Sequence, residues 1–483
     1  MKSYNSVNRS FTKDTGVLAF GTIVSQLVII LSSPVLTRFY SPADFGMLAV
    51  YSAILGAVSP VISLRYDIAI VLPRSKQKAN DLVILSLLIV TVFSLLSLVL
   101  IPVFDDEFVK AFGQDYGHII PWLLFISILL VGTHQIAIFW AIRHKSYQAI
   151  SGSKLSQSVF MVTVQLVCHR FGSIVLILGQ IIGQIISTAY LLFMVCVRER
   201  RSIKASTCER LQSVASEYQK FPIYTTWSAL VNSAGVQLPI MIFAIIFGIK
   251  VTGYYALAQR ILTLPMAIVG DAIQSIFFTN ISEEVRRDRV SHIISALFSL
   301  LIQLVLPPML LVLLFAPEAF AYVFGDTWGY SGELAQLMVI WIITQFSTGP
   351  LTLVFAAMGY NKLDLFLQVT LFATRVFAIM VGIVLDDFYL TVAMFSIGSS
   401  VCYLMIFAMI CKLSSLTILD VIRPFIKSLL YGVVIVSPLI YVKYVHYSMA
   451  ILVITSVVSV ALLSIWYIYL WNRYSSFKLE AGS

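Results

Sequence analysis

Apolar runs of about 20 residues alternate with short polar segments along almost the whole chain, the length at which an α-helix crosses a bilayer core of about 30 Å. LVILSLLIVTVFSLLSLVLIPVF, Leu82 to Phe104, is one such run, and its unbroken apolar character excludes the alternating strands of a membrane β-barrel. The pattern predicts fourteen helices, at 16–36, 45–64, 82–104, 119–141, 150–168, 173–197, 222–247, 252–278, 291–315, 334–357, 363–384, 388–411, 425–441 and 449–471. The longest polar stretch, RERRSIKASTCERLQSVASEYQK (Arg198 to Lys220), is too short to bury a core of its own.

The halves of this pattern repeat. RFYSPADFGMLAVYSAI (Arg38 to Ile54) matches IFGIKVTGYYALAQRIL (Ile246 to Leu262) and sets Gly46 against Gly253. AFGQDYG (Ala111 to Gly117) matches VFGDTWG (Val323 to Gly329), so the offset stays at about 210 residues. An even number of helices separates corresponding points, which gives two six-helix repeats of the same orientation followed by two extra helices. The expected organisation is an N-terminal lobe at 1–200, a linker at 201–221, a second lobe at 222–411, and two further helices with a tail at 412–483.

Composition confirms the solvent: 59% of residues are hydrophobic and 11% charged, with a mean hydropathy of +0.93. The net charge of +9 does not point to nucleic acid, because the basic residues are spread over alternate loops. With the N-terminus inside, inside loops collect most of them, and outside loops keep Arg38, Lys110, Arg170, Lys250 and Lys443 beside the acidic groups Asp105 to Glu107 and Asp386 to Asp387. Both termini are therefore expected in the cytoplasm. The N-terminus lacks the order of a cleaved signal peptide. Neither the five cysteines nor His118, His134, His144, His169, His292 and His446 show metal-ligand or catalytic spacing, so no metal, cofactor or enzymatic centre is expected.

The chemistry is sought instead in charges placed inside apolar helices. Arg260 and Asp271 lie eleven residues apart, close to three helical turns, and so project from one side, with Thr263, Ala267 and Gln274 on or near the same stripe. Such a stripe faces away from lipid, and Pro265 and Gly270 between the charges are positioned to bend the helix. Arg65 and Asp67 end the second helix, Arg375 lies in the eleventh, and Arg38 sits at an outer opening or serves as an interfacial anchor. Arginine stays protonated and matches phosphate oxygens with a planar fork, so the candidate substrate-binding set Arg260, Arg65, Arg375, Arg38 and Gln274 predicts an anionic cargo. Asp271 and Asp67 are the candidates for proton or sodium coupling, or for holding an arginine in place. Structural pairing of Arg260 and Asp271 is the competing reading.

GYYALAQRILTLPMAIVGDAIQSIFF, with LTRFYSPADFGMLAVYSAI and SLRYDIAIVLP, resembles the Wzx-type polysaccharide flippases of the multidrug/oligosaccharidyl-lipid/polysaccharide exporter superfamily over nearly the whole chain. The resemblance implies an all-α V-shaped pair of six-helix bundles plus two helices. It also implies a cargo of undecaprenyl-diphosphate-linked O-antigen or capsule repeat units, moved across the bacterial inner membrane by alternating access. Candidate partners are the lipid-linked oligosaccharide, membrane lipids, a polysaccharide polymerase and a chain-length regulator. Ala258, Arg260 and Pro265 are similar to a segment of the lipid II flippase, but the first helix, GVLAFGTIVSQLVIILSSPVLT, has none of that relative's arginines. A multidrug/cation antiporter would favour cavity carboxylates, and an O-antigen polymerase a large outer loop. Here the buried charges are mainly arginine and the outside loops are short.

Overall fold

The computed structural model describes residues 2–198, 206–264, 266, 290–445 and 449–475, and these are helices joined by short turns. The first half runs through α1 (Lys2–Phe39), α2 (Pro42–Val58), α3 (Tyr66–Ala69), α4 (Lys76–Phe112), α5 (Gln114–Gly117), α6 (Ile120–Arg143), α7 (Tyr147–Val167) and α8 (Ile174–Leu192). After the linker helix α9 (Cys208–Glu217) come α10 (Thr226–Ile246), α11 (Ile249–Leu262), α12 (Val290–Phe324), α13 (Gly329–Thr348) and α14 (Leu353–Ala357). The chain ends with α15 (Asn361–Leu385), α16 (Phe388–Leu413), α17 (Ile418–Val445) and α18 (Met449–Ser475). Among the described residues nine helical stretches are long and apolar enough to cross a membrane, with Pro42–Val58 and Val457–Leu470 as shorter apolar helices. The protein is a multi-pass, all-α membrane protein.

Local chemistry sets the ends of these helices. Ser41 caps α2 while Asp44 reaches back to the Ser41 backbone at 2.8 Å, and Pro42 supplies a first residue that needs no amide donor. The acidic pair expected in an outer loop has a capping role: Asp386 ends α15 in the left-handed region, at φ 51°, and Asp387 accepts from Leu390 N at 3.0 Å to begin α16. Several boundaries differ from the hydrophobic pattern. The second helix stops at Val58 and breaks into turns before the four-residue α3, where Leu64 and Arg65 both have positive φ. Helix α4 continues past its apolar run through Asp105 to Glu107, because no glycine or proline follows Phe104 before Gly113. Within the polar linker, α9 forms and buries Val214.

The chain divides into two compact units, one of Met1–Leu257 with Val323–Thr327 and one of Ala258–Tyr322 with Trp328–Ser483. In the first, Tyr51, Ile62, Ile70, Leu82, Val90, Ile120, Ile136 and Ile177 form a continuous core. Helices α7 and α8 approach closely at Gly179 and Gly183, where an added Cβ would meet Gln165 Cγ at 2.6 Å and Gln157 O at 2.7 Å. This small-xxx-small spacing suits helix contact in lipid, where packing rather than water exclusion drives association.

In the second unit the two extra helices dock on a double proline. Pro307 and Pro308 lack the amides that would bond the carbonyls of Gln303 and Leu304. Trp466 Nε1 donates to Gln303 O at 2.9 Å, Tyr467 OH to Leu304 O at 3.1 Å, and Ser428 Oγ to Ile302 O at 3.1 Å. Helix α18 thus supplies the donors that the prolines remove, while Ser428 of α17 adds a bond to the neighbouring carbonyl, and α12 runs unbroken from Val290 to Phe324.

Candidate functional site

The candidate residues fall into two groups. Arg38, Arg65 and Asp67 belong to the first unit, and Arg260 and Arg375 to the second. Asp271 and Gln274 lie outside the described residues, so the expected Arg260–Asp271 stripe is described at its Arg260 end only.

Arg65 and Asp67 occupy the strained turn between α2 and α4. Asp67 is 1% exposed, and its Oδ1 accepts from Ser63 Oγ at 2.8 Å. Burial pushes the Asp67 carboxyl above its ordinary pKa, while Ser63 and the nearby Arg65 guanidinium pull it back. The end of the bundle beside this pair is closed by hydrogen bonds. Arg143 donates to Ile70 O at 3.0 Å and Ser75 O at 3.3 Å, and Tyr66 OH donates to Ala215 O of α9 at 3.0 Å. Lys78 and Glu217 form an exposed ion pair at 2.7 Å that ties α9 to α4. Arg38 is exposed in the last turn of α1, where a cation suits the helix C-terminus.

Arg375 is enclosed within its unit and 7% exposed. Its Nε donates to Ser399 Oγ at 3.1 Å, and its guanidinium lies 5.4 Å from the Trp341 ring centre and 5.3 Å from that of Phe395. Tyr403 bonds to it as well and also to Gln345. The aromatic faces offset part of the cost of taking the charge out of water. Arg260 differs: it is half-buried in the last turn of α11, after the fully buried Leu257 and Ala258. Thr263, expected on the polar stripe, turns its hydroxyl back to Gln259 O at 2.8 Å and so satisfies its own helix.

A second polar system in the first unit was not among the expected residues. Gln180, Gln184 and Thr188 recur every fourth position on α8 and reach three other helices. Ser52 Oγ donates to Gln180 Oε1 at 3.1 Å, Gln157 donates to Gln184, and Thr188 Oγ1 lies 3.3 Å from His134 Nδ1. Lys154 joins α7 to α1 through Thr22 at 2.9 Å. The i, i+4, i+8 spacing of the α8 residues was readable in LGQIIGQIIST, as a stripe that must be satisfied inside the bundle.

Residues 35–332, more than half of the chain, match the family model described as polysaccharide biosynthesis protein. The chain belongs to this polysaccharide biosynthesis family. No curated protein matches it significantly by sequence. Among solved structures it is similar to the lipid II flippase MurJ in an inward closed conformation, with a TM-score of 0.66, 12% identity, and 96% of this chain and 99% of that one covered. It is also similar to an inward-facing multidrug resistance MATE family transporter of the MOP superfamily, with a TM-score of 0.57, 14% identity, and coverages of 82% and 93%. A MOP superfamily transporter from Pyrococcus furiosus follows, at a TM-score of 0.53 and 13% identity, with coverages of 83% and 96%. At these identities the likeness establishes the fold, which is shared with these transporters.

Proposed function

We propose that this protein moves undecaprenyl-diphosphate-linked oligosaccharide repeat units, of O-antigen or capsule type, across the bacterial inner membrane by alternating access coupled to a proton or sodium gradient. The observation that supports this reading is the joining of a polysaccharide biosynthesis family to a fold shared with a lipid II flippase. A diphosphate must leave headgroup water to cross, and a guanidinium such as Arg260 replaces part of that hydration with directed donors. Arg65, Arg38 and Gln274 complete the proposed substrate set, with Asp271 and Asp67 as coupling or charge-holding groups, and Arg375 is assigned instead to the packing of its own unit. Both termini then lie in the cytoplasm, and a polymerase and chain-length regulator take the cargo on the far side.

The likeness to MATE transporters favours a second reading, export of cationic drugs. Deleting the gene and restoring it separates the two. The flippase reading expects loss of surface glycan with accumulation of the lipid-linked repeat unit, reversed by the intact gene. Normal glycan with increased sensitivity to cationic drugs would replace it with the antiporter reading.

A further inference from the structure

The glycines that the internal repeat sets against each other meet in the structure. Pro42 and Ile249 are the first residues of α2 and α11, and Gly46 and Gly253 are the fifth residue of each. A Cβ added to Gly46 would fall inside van der Waals contact of Ile249 O and 2.9 Å from Ile249 Cγ2. A Cβ added to Gly253 would fall inside contact of Pro42 O and 2.9 Å from Gly46 N. The fifth residue of each helix thus lies on the first carbonyl of the other. This reciprocity is the mark of an isologous contact, here formed within one chain. Backbone lies on backbone at the two glycines, whose Cα hydrogens face carbonyl oxygens, with the Ile249 side chain also against Gly46.

We propose that Gly46 and Gly253 form a symmetric latch, which holds the starts of α2 and α11 together in this conformation and separates in the other access state. Where backbone meets backbone at glycine, the contact parts with little rearrangement of rotamers, and two equivalent halves release together. Either glycine replaced by alanine leaves a methyl group where only a carbonyl oxygen fits, so closure is blocked. The inference rests on the transport reading but not on the identity of the cargo.

The test uses the full-length chain with its five native cysteines changed to serine. Met47, 6% exposed, is next to the latch, so Met47→Cys reports on its opening through maleimide labelling in detergent. Gly46→Ala and Gly253→Ala are expected to abolish export at normal membrane abundance, and Gly253→Ala to raise the labelling rate at 47 several-fold. Wild-type export by both alanine variants, or unchanged labelling, would overturn the latch. If the alanine variants fail to accumulate, Ala43→Cys with Ile249→Cys decides the matter, since both positions line one recess beside the crossing. Joining them with a reducible bifunctional thiol reagent should stop export, and reduction should restore it; export by the cross-linked protein refutes the proposal. Labelling needs no cargo, so a failure of the flippase reading leaves the latch measurable.

Discussion

Arg375 and Arg260 share a sequence signature, a guanidinium within an apolar helix, and both lie in the second compact unit. Their surroundings are different. Arg375 is held by Ser399 and Tyr403 between the rings of Trp341 and Phe395, so its own unit gives it a reason to be retained. Arg260 is half-buried at the end of a helix whose preceding residues are packed tight. A charge in an apolar run marks a cost that something must offset, and only its neighbours reveal whether packing or cargo does so.

The largest effect that separates the two concerns export. Arg260→Ala should lower surface glycan production by about ten- to a hundredfold at normal membrane abundance, the scale set by losing a hydrogen bond between charged groups, with Arg260→Lys intermediate. Wild-type export by an abundant Arg260→Ala variant would erase the distinction and leave Arg260 structural. Arg375→Ala should instead be seen in stability, with a loss of about 2 kcal/mol or more as the cage is emptied and Ser399 and Tyr403 are stranded. Arg260→Ala should barely move the thermal midpoint of the purified protein. Equal shifts for both would break the comparison.

A packed partner that replaces a missing backbone donor should behave like the Arg375 cage on a smaller scale. Trp466→Phe or Tyr467→Phe strands a carbonyl of the double proline and should cost about 1 kcal/mol in detergent unfolding. A neutral result for both would mean that water or lipid headgroups serve those carbonyls. The smallest effect concerns the third arginine, Arg65, through its neighbour Asp67. Because burial raises the folded pKa of Asp67, the folded state holds its proton more tightly than the unfolded chain does. That contribution is complete below the ordinary carboxylate range and is lost as pH rises through it toward the raised folded value. Asp67→Asn should therefore flatten the pH dependence of stability over that window. An unchanged profile would show that Ser63 and Arg65 offset the burial fully.

The sequence alone determined that this is a helical membrane protein with an internal repeat, because spanning length and apolar composition are imposed by the bilayer on each segment separately. It placed Gly46 opposite Gly253, and it located Arg38, Arg65, Arg260 and Arg375. What those residues touch depended on tertiary structure. The cage around Arg375 draws on residues 341, 395, 399 and 403, and the double proline of α12 is completed by Trp466 and Tyr467, more than 150 positions later. The reciprocal contact of Pro42 and Ile249 with the two glycines likewise arises only when α2 crosses α11. Periodicity records the side of a helix on which a residue lies, and only packing decides which other helix meets that side.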